Sequence, residues 1–207
     1  MLQIKNLTIY HKKDLRALLK DFSFVLRDGE KAALIGEEGN GKSTLLKLIY
    51  NPALVEDYAE YSGEIITEST VFGYLPQELP EAEKALSAAE FLTEKGFFDL
   101  PYDEGAALCR ELGIEYERCW SEQRMGAFSG GEKVKLSLLA ALCKKPDVLL
   151  LDEPSNDIDI ETLEWLERFI NGCKLAILYI SHDETLLENA ATAIIHMEQL
   201  RKKSVPR

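Results

Sequence analysis

The stretch Gly36-Glu37-Glu38-Gly39-Asn40-Gly41-Lys42-Ser43-Thr44 constrains this chain more than any other. It matches GxxxxGK[ST] and lies between a short apolar run, Lys31 to Ile35, and an apolar helical run through Tyr50. A strand must therefore pass through a tight glycine-rich turn into a helix. Glycines let the backbone curl until successive N–H groups point at one anion, and the following helix adds the positive end of its dipole. Lys42 brings a full positive charge, and Ser43 a hydroxyl able to ligate Mg²⁺. Gly36, Gly39, Asn40, Gly41, Lys42, Ser43 and Thr44 are thus expected to cradle a triphosphate. Glu37 and Glu38 would repel it if turned inward, so both side chains are expected to face solvent.

Around this turn the chain alternates strand and helix. Leu2, Ile4, Leu7 and Ile9 supply a loosely alternating strand, Phe22 to Leu26 a second, and Arg27 to Glu30 a turn. A short strand pair is expected near Gly63 to Tyr74, and helices around Ser87 to Lys95 and Asp103 to Leu112. From Phe128 onward helices alternate with Val148 to Leu151 and Leu175 to Ile180, unbroken apolar runs typical of parallel strands covered on both faces. The expected fold is an α/β core made of residues 1–76 and 126–207, with a helical subdomain at 77–125 inserted between them.

With 207 residues, 46% apolar and 29% charged, general disorder is excluded. No apolar stretch approaches the ~20 residues that cross a bilayer. The start, Met1 to Lys13, lacks the features of a secretion signal. Cys109, Cys119, Cys143 and Cys173 form no CxxC pair and read as reduced, buried thiols of a cytoplasmic protein. Residues 51–125 carry 17 Asp and Glu against 5 Lys and Arg, so the net charge of −12 falls entirely within that segment. Such a face should repel a phosphate backbone; it is either a solvated helical surface or an acidic recognition surface.

A second chemical signal is Val148-Leu149-Leu150-Leu151-Asp152-Glu153-Pro154, a buried strand ending in adjacent carboxylates where open α/β sheets place their ligands. Neighbours on a strand point to opposite faces, which divides their work. Asp152 is expected to orient Mg²⁺ through its water shell, and Glu153 to orient and deprotonate the attacking water. A third signal is Phe128-Ser129-Gly130-Gly131-Glu132 before an apolar helix. Ser129 and Glu132 form a capping box. Two glycines in the first turn weaken a helix by roughly 1 kcal/mol each, and they also leave amides open to an anion.

Taken together, these motifs resemble the ATP-binding-cassette (ABC) superfamily over nearly the whole chain. The resemblance implies a nucleotide-binding domain with an N-terminal antiparallel β-subdomain, ATP and Mg²⁺ as ligands, and ATP hydrolysis. It also implies that Ser129, Gly130 and Gly131 face the phosphate loop of a second cassette. Gln77, in Gly73-Tyr74-Leu75-Pro76-Gln77, matches the glutamine loop that senses Mg²⁺ and water. His182, after Leu175 to Ile180, matches the switch histidine. Ser155 to Asp159 matches the loop that crosses the dimer interface. Tyr10 is either the ring that stacks on adenine or a plain strand-edge tyrosine.

Three details resemble the ABC-F group, which works on ribosomes. The signature reads SGGE before a basic residue, the crossing loop reads Ser155-Asn156-Asp157-Ile158-Asp159, and Ser181-His182-Asp183 precedes a leucine pair and Asn189. Asp157 stands where that group usually has histidine. The tail Leu200 to Arg207 falls where a tandem ABC-F chain would enter its linker, so the chain is expected to be the first cassette of a longer protein. The expected partners are a second cassette, in the same parent chain or as a homodimer, and the ribosome. The alternatives are the energy-coupling subunit docked on a transporter's membrane domain, and a cassette that clamps ATP with little hydrolysis.

Overall fold

The computed structural model describes residues 1–197; residues 198–207, including the tail read as a linker entrance, lie outside the described residues. The chain opens with strands β1 (Leu2–His11), β2 (Ala17–Leu26) and β3 (Lys31–Ile35). Helix α1 (Lys42–Tyr50) follows, then β4 (Ala59–Ile66) and β5 (Phe72–Leu75). Helices α2 (Glu81–Ala85), α3 (Ala88–Glu94), α4 (Tyr102–Leu112) and α5 (Gly130–Leu142) come next. The last part alternates β6 (Val148–Asp152), α6 (Ile160–Gly172), β7 (Ala176–Ile180), α7 (Glu184–Ala190) and β8 (Ala193–His196).

Two sheets result, an antiparallel one ordered β2-β1-β4 and a parallel one ordered β5-β6-β7-β3-β8. The fold is the expected α/β class. The unbroken apolar runs of β6 and β7 follow from burial on both faces. Leu149, Leu151, Ile177 and Tyr179 join a cluster with Leu136 and Leu139 of α5 and Leu166 of α6. Their neighbours Val148, Leu150, Leu178 and Ile180 point the other way, against Leu45 and Leu46 of α1 and the Leu2, Ile4, Leu7 and Ile9 row of β1. Each such apolar side chain contributes about 1.5–3 kcal/mol on full burial; the one buried polar group in these two strands without a partner among the described residues is the Tyr179 hydroxyl.

The expected strand pair near Gly63 to Tyr74 does not form. β4 pairs with β1 (Lys5↔Glu64) and β5 with β6 (Leu75↔Leu151), in different sheets. Gly63 is no hairpin glycine: its φ is +105° and a Cβ there would meet Asn6 O at 2.5 Å, so it serves the close approach of β4 to β1. The edge strand β8, unforeseen, is short and half-exposed, and pairs with β3.

Residues 77–125 contain α2, α3, α4 and short 3-10 turns. Their two ends are stapled together by Ala88 N–H to Gln123 O (3.0 Å) and Met125 N–H to Leu86 O (2.8 Å). Phe91, Phe97, Leu112 and Met125 fuse into the cluster beneath α5, which ties this helical stretch to the start of α5. Among the described residues no helix is long and apolar enough to cross a membrane.

Candidate functional site

The turn between β3 and α1 is built as its glycines require. Gly39 and Gly41 adopt φ of +75° and +84°, and a Cβ on Gly41 would sit 2.9 Å from the Leu18 Cβ. Lys42 is buried, and its Nζ donates to Gly36 O at 2.8 Å and Glu37 O at 3.0 Å. Burial lowers its pKa, while Glu153, Glu38 and Asp152 oppose that shift. A desolvated ammonium held only by carbonyls and one amide oxygen gains most from an incoming anion. Asn40 is turned from the ligand side: its amide donates to Met197 O at 2.7 Å and anchors the loop beside β8. Glu37 and Glu38 are both exposed, as expected, but Glu38 also borders the cleft over the loop.

Asp152 ends β6 with 1% of its surface exposed. Its Oδ1 accepts from the Ser43 hydroxyl at 2.9 Å and its Oδ2 from the Tyr74 hydroxyl at 3.3 Å. Burial pushes its carboxyl above the ordinary aspartate value, with the two hydroxyls opposing. A buried carboxylate satisfied only by hydroxyls beside a serine hydroxyl is a hard-oxygen donor set that suits Mg²⁺. Among the described residues no three His, Cys, Asp or Glu cluster into a metal cage, and a cation that completes its shell with phosphates and water needs none.

The division between Asp152 and Glu153 is not made by strand alternation. Glu153 has left β6 and adopts φ of +50°, a left-handed conformation costing about 1–2 kcal/mol in a non-glycine residue. That turn, pinned by Glu153 N–H to Ile180 O at 3.1 Å, swings its carboxylate over the phosphate loop. Glu153 Oε2 accepts from Gln77 Nε2 at 3.4 Å and from Asn156 Nδ2, and Oε1 lies 3.8 Å from His182 Nε2. Gln77, Glu153 and His182 therefore lie together, and Asn156 joins them.

The cleft over the loop has a volume of about 630 Å³ and is walled by His11, Arg16, Leu18, Tyr58, Gln77 and Glu153, with Gly39, Gly41, Lys42, Ser43 and Thr44 on its floor. Tyr10 is not among its walls; it stands 39% exposed on β1, where the pleat turns it away from its neighbour His11. The rings at the cleft are His11 and Tyr58, 6.4 Å apart and tilted by 41°. Sequence reasoning missed both, as well as Arg16.

Ser129 caps α5 as expected: Glu132 N–H donates to Ser129 Oγ at 3.2 Å and Ser129 N–H to Glu132 Oε2 at 3.0 Å. The glycine pair has a packing cause beyond any anion. A Cβ on Gly130 would lie 1.9 Å from Asp157 O, and one on Gly131 would lie 2.5 Å from Thr162 Oγ1. Neither Ser129 nor Gly131 lines the cleft over Lys42; Gly130 lines a smaller cavity of about 200 Å³ beside Gln77, Glu153 and Asp157.

A phosphate loop between the parallel strand β3 and a helix, a buried aspartate ending β6 two strands away, and a polar-clamped glutamate after it define the class: an ATP-binding cassette. The chain belongs to the ABC transporter family, whose profile matches residues 19–156. It is an ATPase domain of that family and is similar to ABC-F type proteins. It is 29% identical to "Elongation factor 3" of Mycosarcoma maydis over 92% of this chain and 17% of that protein. It is 30% identical to "Probable ATP-binding protein YheS" of Escherichia coli (strain K12) over 91% of this chain and 33% of that protein. The chain thus spans a third or less of either relative. Its fold matches that in "Dimeric Structure of MJ0796, a Bacterial ABC Transporter Cassette", with a TM-score of 0.75 at 19% identity, over 96% of this chain and 95% of that one.

Proposed function

We propose that this cassette binds ATP with Mg²⁺ in the cleft over Lys42 and hydrolyses it once a second cassette closes over the nucleotide. The observation that carries this reading is the convergence on Glu153, whose carboxylate accepts from Gln77 and Asn156 and faces His182 beside the phosphate loop. His11 and Tyr58 are the rings for the base, in place of Tyr10. Lys42 exchanges its bonds to Gly36 O and Glu37 O for β- and γ-phosphate oxygens. Mg²⁺, held by the Ser43 hydroxyl and on the side of Asp152, would neutralise charge on the phosphates. Glu153 takes a proton from the water that attacks the γ-phosphorus, the bond to the β-phosphate oxygen breaks, and ADP leaves; Gln77 and His182 orient water and γ-phosphate.

Ser129 and Gly131 do not line this chain's own cleft, which supports a site completed by the corresponding turn of a second cassette. Because contacts from both sides exist only when two cassettes meet, ATP shifts the population toward the closed pair and hydrolysis releases it. The partner cassette belongs to the same parent chain or is a second copy.

The similarity to a protein called elongation factor 3 supports a factor acting in translation; that it is a cytoplasmic ABC-F protein acting on ribosomes, with ribosome protection as its role, is the reading drawn from the resemblance of its motifs to that group. A second reading is a transporter's energy-coupling subunit. It draws on a groove of about 400 Å³ beside Gln77, lined by Tyr50, Phe72, Leu79 and Phe91, which could take a helix. The parent protein carrying Glu153→Gln, loaded with ATP, tests the choice. Co-sedimentation with ribosomes is expected; retention in washed membranes instead would favour the transporter reading.

A further inference from the structure

Tyr74 spans two compartments. Its ring lines the groove of about 400 Å³ and stacks on Tyr50, with centroids 5.0 Å apart and planes at 28°. Its hydroxyl reaches through β5 toward the neighbouring strand and donates to Asp152 Oδ2 at 3.3 Å. Tyr50 is held in turn by Lys144, whose Nζ donates to its hydroxyl at 3.3 Å. The other oxygen of Asp152 is taken by Ser43 at 2.9 Å, so both carboxylate oxygens have one hydroxyl donor each. Burial and the adjacent carboxylate raise the phenol's pKa, so it remains a donor at any physiological pH.

Two donors at fixed positions leave a carboxylate no free rotation. Without Tyr74, Asp152 would hang from Ser43 alone, the hydroxyl that must itself turn toward the cation when Mg²⁺ and nucleotide bind. We propose that Tyr74 is a positioning residue: its hydroxyl, aimed by the stack on Tyr50, keeps the Asp152 carboxylate oriented for the Mg²⁺ side of the nucleotide. This rests on the reading that Ser43 and Asp152 form that side. Tyr74 does not line the cleft over the phosphate loop, so its effect should be confined to the Mg²⁺-dependent part of binding.

The test is the ratio of ATP dissociation constants in EDTA and in saturating Mg²⁺, measured on the full chain by calorimetry. Tyr74→Phe keeps the ring and the stack and loses only the hydroxyl. It should lower the ratio about 3- to 10-fold, as expected for loss of one long hydrogen bond of ordinary net strength, and leave the EDTA value within about twofold. Tyr50→Ala, which touches no bond to Asp152, should lower the ratio in the same direction, and Tyr50→Phe should restore it. These two variants decide the matter if Tyr74→Phe does not fold. A wild-type ratio in Tyr74→Phe, or equal weakening with and without Mg²⁺, overturns the proposal. A wild-type chain whose ATP affinity ignores Mg²⁺ overturns the underlying reading as well, and that failure is visible before any variant is made.

Discussion

Glu153 Oε1 lies 3.8 Å from His182 Nε2, although the two residues sit on loops after different strands, β6 and β7. The pairing of β6 with β7, Asp152 opposite Ile180, brings these loops side by side, and the left-handed turn at Glu153 closes the remaining distance. A carboxylate, the proton acceptor of the proposed reaction, is thereby placed over the phosphate loop with its orientation set from three sides.

Removing that acceptor should separate binding from chemistry. Glu153→Gln keeps the size and one acceptor oxygen, so ATP affinity should stay within a few-fold. Turnover with a competent second cassette should fall about 10²- to 10⁴-fold, the usual share of a general base. Steady-state phosphate release and equilibrium ATP binding check this together. Turnover at the wild-type rate would remove Glu153 from the reaction.

The ring assignment predicts an asymmetry between adjacent residues. His11→Ala removes a wall of the cleft, and loss of base stacking costs about 1–3 kcal/mol, or roughly 5- to 150-fold in ATP affinity. Tyr10→Ala changes only an exposed position and should stay within about twofold. Fluorescent-nucleotide titration of both variants decides, and the opposite order would return the base to Tyr10.

Asp152 predicts a pH-dependent stability. Burial holds its carboxyl above 3.8 in the folded chain, so the folded state binds the proton more tightly than the unfolded chain does. This group therefore opposes folding progressively as pH rises from 3.8 through the raised value, and its penalty is complete once the pH lies above that value. Asp152→Asn should raise the melting temperature of the nucleotide-free chain at pH 7, by about 2–4 °C for each kcal/mol relieved. The gain should fade toward pH 3, below the ordinary aspartate value. Melting curves across that range test it; equal shifts at both ends would contradict the burial argument.

The signature glycines predict a packing defect rather than a binding one. Gly130→Ala drives a Cβ to 1.9 Å from Asp157 O and should cost about 1–3 kcal/mol while leaving ATP affinity of the lone cassette unchanged. Gly39→Ala meets nothing within 4 Å but is strained at φ +75°. It should cost about 1–2 kcal/mol and weaken ATP binding as well, because the loop itself is distorted. Thermal melting and nucleotide titration of the pair separate the two mechanisms.

Much of the fold was legible because it rests on local pattern. The strand Lys31–Ile35, the helix running through Tyr50, the apolar strands β6 and β7 and the capping box at Ser129 all follow from residues within a few positions of one another. The strands β4 and β5 were visible as strands but not as members of separate sheets, since partner choice depends on the chain 50 or more residues away. The short edge strand β8 carried too little periodicity to be seen, because one edge strand half in water needs few apolar residues.

At the site, the amino-acid sequence by itself determined two sets of chemical groups: a glycine-rich turn with Lys42 and Ser43, and a strand ending in Asp152 and Glu153. Those are contiguous signals, legible because backbone curvature, charge and hydroxyl must be adjacent to cradle a phosphate; Gln77 and His182 carry no such local signal and were marked only by their resemblance to the family's motifs. Only the tertiary structure decided that Tyr74 holds Asp152, that Asn156 clamps Glu153, that His11 and Tyr58 wall the cleft, and that Gly130 and Gly131 are bare because Asp157 and Thr162 press against them. All but one of these are contacts between segments brought together by sheet order and layer packing; the exception, Asn156 on Glu153, is a contact three residues apart that exists only because the turn after β6 takes a left-handed conformation at Glu153.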